Sequence, residues 1–151
     1  MSDAADKPIR ILLWSAPAQL AVVRAAVEKA CEGIGFDGRE IGRIVLSVDE
    51  ALANIIRHAY DCADDQPIEA ELTVLGDGGP EGVRIRLRDY GRTADPSTIK
   101  PRKLDDIRPG GLGVHIMNEC MDSVTYEHPE GGGTLLTMTK KLPDTKEDQA
   151  K

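Results

Sequence analysis

The stretch DEALANIIRHAY, residues 49–60, spaces its apolar side chains as a helix does, yet sets Glu50 and Asn54 one turn apart on a different face. Asparagine is a mediocre helix former, because its amide competes for backbone hydrogen bonds. At about 100° per residue, Ile41, Ile44, Val48, Leu52, Ile55 and Ala59 cover one contiguous face. Glu50 and Asn54 point the other way, nearly on one line, since i and i+4 are neighbours. Ser47, Ala51 and Ala53 beside them are small and leave room for something large to come close. On this helix alone, a solvated surface and a ligand-facing carboxylate–amide pair are both open.

Working outward, the helix starts at Asp37, with Glu40 three residues on as a capping box, and runs to about Tyr60. Before it, residues 9–14 form a short apolar strand. Ser15 reads as the N-cap of a first helix, with Pro17 in its opening turn. Leu20, Val23, Val27, Cys31 and Ile34 give that helix its stripe, and Gly33 and Gly35 end it. After Tyr60, residues 68–74 and 83–89 alternate as two strands of a hairpin. Glu69 and Glu71 face outward on one, Arg84, Arg86 and Arg88 on the other, and opposite charges across an antiparallel pair support the pairing. A long aperiodic loop follows, then a helix near 112–121 and a second hairpin with strands near 123–126 and 134–140. This order predicts an α+β two-layer sandwich rather than a doubly wound sheet.

Composition sets the class. The 151 residues are 40% hydrophobic and 30% charged, as a soluble domain with a real core requires. No apolar run approaches the ~20 residues of a membrane span, and MSDAADKPIR is too acidic for a signal peptide. A net charge of −7 and a pI near 5.0 argue against direct nucleic-acid binding. Cys31, Cys62 and Cys120 form neither a disulfide framework nor a metal pair and read as small core residues in a reducing compartment, which points to the cytoplasm. His58, His115 and His128 also lack ligand spacing.

Three further motifs bear on Glu50 and Asn54. Asp89-Tyr90-Gly91 ends the second hairpin strand, where a carboxylate can reach a ligand. Gly110-Gly111-Leu112-Gly113 opens a helix, leaving backbone N–H groups at its positive end for an anion or phosphate. Gly131-Gly132-Gly133-Thr134 enters a strand and reads as a hairpin turn. There is no P-loop, no catalytic set of a eukaryotic-type kinase and no Ser-His-Asp constellation.

In this order the motifs resemble those of the GHKL ATPases, and most of all the bacterial anti-sigma factor serine kinases of partner-switching systems. Glu50-x-x-x-Asn54, extended by His58-Ala59-Tyr60, is similar to the N box. Asp89-x-Gly91 is similar to the first glycine box, and Gly111-x-Gly113 with Gly110 to the second. Arg92-Thr93 departs from the pattern, since many members carry another glycine there. The resemblance implies a mostly antiparallel mixed sheet covered by helices on one face. It places one domain over 9–142, between a flexible N-terminus (1–8) and a disordered tail (143–151). It implies ATP and Mg²⁺ as cofactors, with Asn54 as the metal ligand and Glu50 as the general base. Asp89, supported by Thr134, would accept the adenine amino group. Gly91 would admit the ring, and Gly110, Gly111, Leu112 and Gly113 would hold the phosphates. Residues 92–108 would form a lid. The implied activity is serine/threonine phosphorylation of an anti-sigma-factor antagonist, with sequestration of a sigma factor and possible homodimerisation. A nucleotide-sensing binding module and a histidine-kinase-like catalytic domain are the alternatives.

Overall fold

The computed structural model describes residues 7–91 and 109–143. The expected lid and the terminal segments before Lys7 and after Pro143 lie outside the described residues. Strand β1 (Ile9–Trp14) leads into α1 (Pro17–Ile34) and α2 (Gly38–Asn54), which continues as a π-helical turn (Ile55–Ala59). Then come β2 (Pro67–Leu75), β3 (Gly82–Asp89), α3 (Pro109–Cys120), β4 (Ser123–Glu127) and β5 (Thr134–Lys141). The sheet order is β1-β2-β3-β5-β4. Every pairing is antiparallel, so the parallel component that a mixed sheet implies is missing among the described residues. β3 is the central strand.

Alternation builds the two layers. Ile68, Ala70 and Leu72 of β2, Ile85 and Leu87 of β3, and Leu136 and Met138 of β5 turn one face of the sheet inward. They meet Val23 and Val27 of α1, Ile44, Val48 and Leu52 of α2, and Met117 of α3 in one core. The other face carries the charges: Glu69 stands opposite Arg88 and Glu71 opposite Arg86, as the outward pattern predicts. Glu71 is also 3.3 Å from Arg10. Such half-exposed pairs contribute about 0–1 kcal/mol each and fix register more than stability.

The helix ends depart from expectation in instructive ways. Asp37 caps α2 by accepting from the Glu40 N–H at 2.8 Å, but the Glu40 carboxylate turns to Lys140 at 3.4 Å instead of closing the box. The N-cap of α1 is Ala16, not Ser15. The Ser15 hydroxyl is buried and donates to the Ala63 carbonyl (2.6 Å) while accepting from the Gln66 N–H (3.1 Å), so it ties β1 to the segment entering β2. Gln19 takes over at the helix start, accepting the Trp14 N–H at 2.7 Å. Cys31 and Cys120 are buried, and burial pushes the Cys31 thiol up to about 11, but Cys62 is exposed at φ +65° in the turn after the π segment.

The second helix does not run unbroken to Tyr60. The Ile55 N–H reaches the carbonyls of both Ala51 and Leu52, and the Tyr60 N–H closes a wider turn on the Ile55 carbonyl. Both Ile55 and Tyr60 are buried. A five-residue turn returns the chain to the same side, which lets both side chains point inward where regular α geometry would swing Tyr60 away.

Replacing Ser15 by Ala strands the Gln66 N–H and the Ala63 carbonyl, both on half-buried residues. The variant should lose ~1–3 kcal/mol of unfolding free energy, measured by denaturant titration.

Candidate functional site

Asp89 is the last residue of β3, paired with Ile68 on one side and Thr134 on the other. Its side chain is only 3% exposed. Oδ1 accepts from the Gly91 N–H at 3.1 Å, and the backbone of Thr134, its partner across β3 and β5, lies close enough to favour the ionised carboxylate. Burial raises the Asp89 pKa, and the Gly91 and Thr134 backbones, then the charges of Arg88 and His128, oppose that rise. The motif lies at the end of the central strand rather than at a lateral sheet edge.

Close packing explains the glycines here. A side chain on Gly91 would collide with the Ala59 carbonyl and the Tyr60 ring. Gly131, Gly132 and Gly133 all take positive φ (98°, 90° and 76°), a backbone that L side chains rarely adopt. A Cβ on Gly133 would collide with the Asp89 carbonyl. The triple glycine is therefore more than a generic hairpin turn: it lets β5 enter the sheet directly against Asp89. Its position just before Thr134 was the sequence signal for this.

Glu50 and Asn54 are both half-buried on α2. Ser47 and Ala51, expected beside them on an open face, are fully buried. Their small size serves helix packing, because α3 lies along α2. Only Ala53 keeps partial exposure there. Asn54 closes the regular helix where the π turn begins. Its Oδ1 accepts from Arg57 Nη2 at 3.4 Å, while Arg57 Nε reaches the Ala53 carbonyl at 3.4 Å. Among the described residues nothing bonds the Glu50 carboxylate. Arg57 is a neighbour of the site that the sequence did not single out, and Tyr60, read there only as an extension of the motif around Asn54, lies against Gly91.

Gly110, Gly111, Leu112 and Gly113 fall in the first turn of α3, as expected. Arg43 Nη2, near the start of α2, donates to the Glu119 carbonyl near the end of α3 at 3.2 Å. With the two helices packed along their lengths, this contact makes them antiparallel. It directs the glycine-rich start of α3, whose first N–H groups have no partner within the helix, toward the Asn54 end of α2. The end of β3 meets the same region through Gly91 and Ala59. Asp89, Gly91 and Thr134 are thus joined directly, and the other two motifs converge on them.

The donor set can be tested for a metal. Among the described residues no cluster of three or more His, Cys, Asp or Glu side chains exists. A soft or all-protein metal cage is not offered there. A lone half-buried amide oxygen suits a hard ion that keeps water and phosphate oxygens as its other ligands, as Mg²⁺ does.

Comparison with known proteins agrees with this architecture. The family model of the histidine kinase-like ATPase domain matches residues 13–140. A serine-protein kinase RsbW from Halalkalibacterium halodurans is 29% identical over 129 residues, covering 80% of this chain and 75% of that one. A serine/threonine-protein kinase BtrW from Bordetella bronchiseptica is 30% identical over 106 residues, covering 68% and 72%. Among solved structures, the RsbU and RsbW domains of Rv1364c from Mycobacterium tuberculosis superpose with a TM-score of 0.63 at 24% identity; the match covers 91% of this chain and 33% of that one. SiaB in the SiaB–SiaC complex from Pseudomonas aeruginosa has the same fold, with a TM-score of 0.63 at 10% identity over 89% and 88% of the chains. The chain belongs to the GHKL-type family of histidine kinase-like ATPase domains.

Proposed function

We propose that this protein is an ATP- and Mg²⁺-dependent serine/threonine protein kinase of the cytoplasm. It phosphorylates a small antagonist protein and, when the antagonist is phosphorylated, holds a sigma factor inactive. The observation that carries the nucleotide reading is Asp89, a buried carboxylate that accepts the Gly91 N–H at the end of the central strand. An ionised carboxylate is an acceptor only. It suits the exocyclic amine of adenine, a donor, and disfavours guanine, which presents a carbonyl oxygen at that position. Names of relatives such as serine-protein kinase RsbW support phosphoryl transfer to a hydroxyl.

The roles then divide as follows. Asp89 takes the adenine amine, with Thr134 fixing its carboxylate and Gly91 leaving room for the ring. The backbone at Gly110, Gly111, Leu112 and Gly113 donates to phosphate oxygens at the positive end of α3. Asn54 would hold Mg²⁺ through its amide oxygen, which has a second lone pair beside the one Arg57 Nη2 meets at 3.4 Å. Bound there, the ion would supply charge neutralisation to the phosphates. Glu50, one turn before Asn54, orients the substrate hydroxyl and takes its proton as general base. Phosphoryl transfer needs positioning and charge stabilisation more than covalent help, and these residues provide the positioning.

Calorimetry on Asn54→Ala should show Mg²⁺-dependent ATP binding lost. Glu50→Ala should keep ATP affinity yet fail to add phosphate to a serine-bearing antagonist, read by mass spectrometry; an unchanged transfer rate would remove Glu50 from the mechanism.

Asp89 gives a prediction with opposite signs in two assays. Because folding raises its pKa, ionisation of Asp89 disfavours the native state: its favourable contribution is present below the unfolded pKa and is lost as pH rises through the folded one. Asp89→Asn should therefore raise the Tm of the ligand-free protein at neutral pH, with the gain shrinking as pH falls into the acid range. The same variant should bind ATP more weakly.

A further inference from the structure

The Tyr60 side chain is buried, 7% exposed, and its hydroxyl makes two backbone contacts. Oη donates to the Pro67 carbonyl at the start of β2 and accepts from the Tyr90 N–H at 2.8 Å, just past the end of β3. The Tyr90 N–H belongs to the peptide that joins Asp89 to Tyr90. One residue further, the Gly91 N–H bonds Asp89 Oδ1, and the Gly91 backbone rests against the Ala59 carbonyl and the Tyr60 ring. A single hydroxyl therefore fixes the peptide plane between the carboxylate and the N–H that orients it. The π turn is what delivers that hydroxyl, because its closing bond runs from the Tyr60 N–H to the Ile55 carbonyl.

We propose that Tyr60 is a positioning residue for nucleobase selection: through the Asp89–Tyr90 peptide and the Gly91 N–H, its hydroxyl sets where the Asp89 carboxylate stands to read a purine amino group. The inference rests on the nucleotide reading above. It makes the end of the π turn a determinant of adenine preference without any contact to the ligand. A displaced carboxylate loses its advantage for the amine of adenine over the carbonyl of guanine, while phosphate contacts at α3 are untouched.

Tyr60→Phe keeps the ring against Gly91 and removes only the hydroxyl. Titrations with ATP, GTP and inorganic tripolyphosphate, each with Mg²⁺, separate base reading from phosphate binding. Loss of a buried hydrogen bond of this kind should cut the ATP-over-GTP preference on the order of tenfold, with tripolyphosphate affinity unchanged. Ile85→Val, a core change in the same strand, provides a matched loss of stability and should leave the preference intact. A Tyr60→Phe protein with wild-type preference overturns the proposal while leaving the nucleotide reading standing. Failure of the wild type to bind ATP overturns both.

Discussion

The end of β3 is confined on three sides, and the site follows from that confinement. Ile68 and Thr134 hold Asp89 between two neighbouring strands, while the Ala59 carbonyl lies so close under Gly91 that no side chain fits there. The carboxylate that results is desolvated and bonded to the Gly91 N–H, and its burial disfavours ionisation in the folded state. Burying a charge at such a cost is common where a group must meet a ligand in a defined position. The glycines on both approaches, Gly91 and Gly133, exist because two backbones close on one residue.

The second helix shows how one element serves core and site together. Its apolar face fills the core through Ile44, Val48 and Leu52, and its small residues Ser47 and Ala51 admit α3. Half-buried Glu50 and Asn54 occupy the remaining edge, near the seam between the two helices. The change to π geometry after Asn54 then turns Tyr60 inward. That placement connects the second helix to the strand end carrying Asp89.

Much of this was legible in the sequence because the signals were local. Alternation in residues 68–74 and 83–89 predicts the hairpin with Glu facing Arg across it, and both are found. Asp37 with Glu40 predicts the start of α2, and the glycine run before Val114 predicts the first turn of α3. The misses share a cause, which is competition by distant partners. Ser15 looks like a cap, but Ala63 and Gln66, some fifty residues on, claim its hydroxyl. Ser47 and Ala51 look like an open face until α3 is folded onto them. The π turn leaves no mark on a periodicity of 3.6, since one widened turn costs a single hydrogen-bond shift. Gly133 and Tyr60 act only through chain segments that meet in three dimensions.

The central claim is that nucleotide binds where Asp89, Gly91, Thr134, the start of α3 and Asn54 converge. Amide chemical shifts recorded by NMR during titration with ATP and Mg²⁺ test it most directly. The account predicts the largest changes at Gly91, Thr134 and the first turn of α3, together with the Asn54 side-chain amide, and little change on the outward sheet face at Glu71 and Arg86. Saturable binding whose shifts cluster on that outer face, with the end of β3 silent, would contradict it.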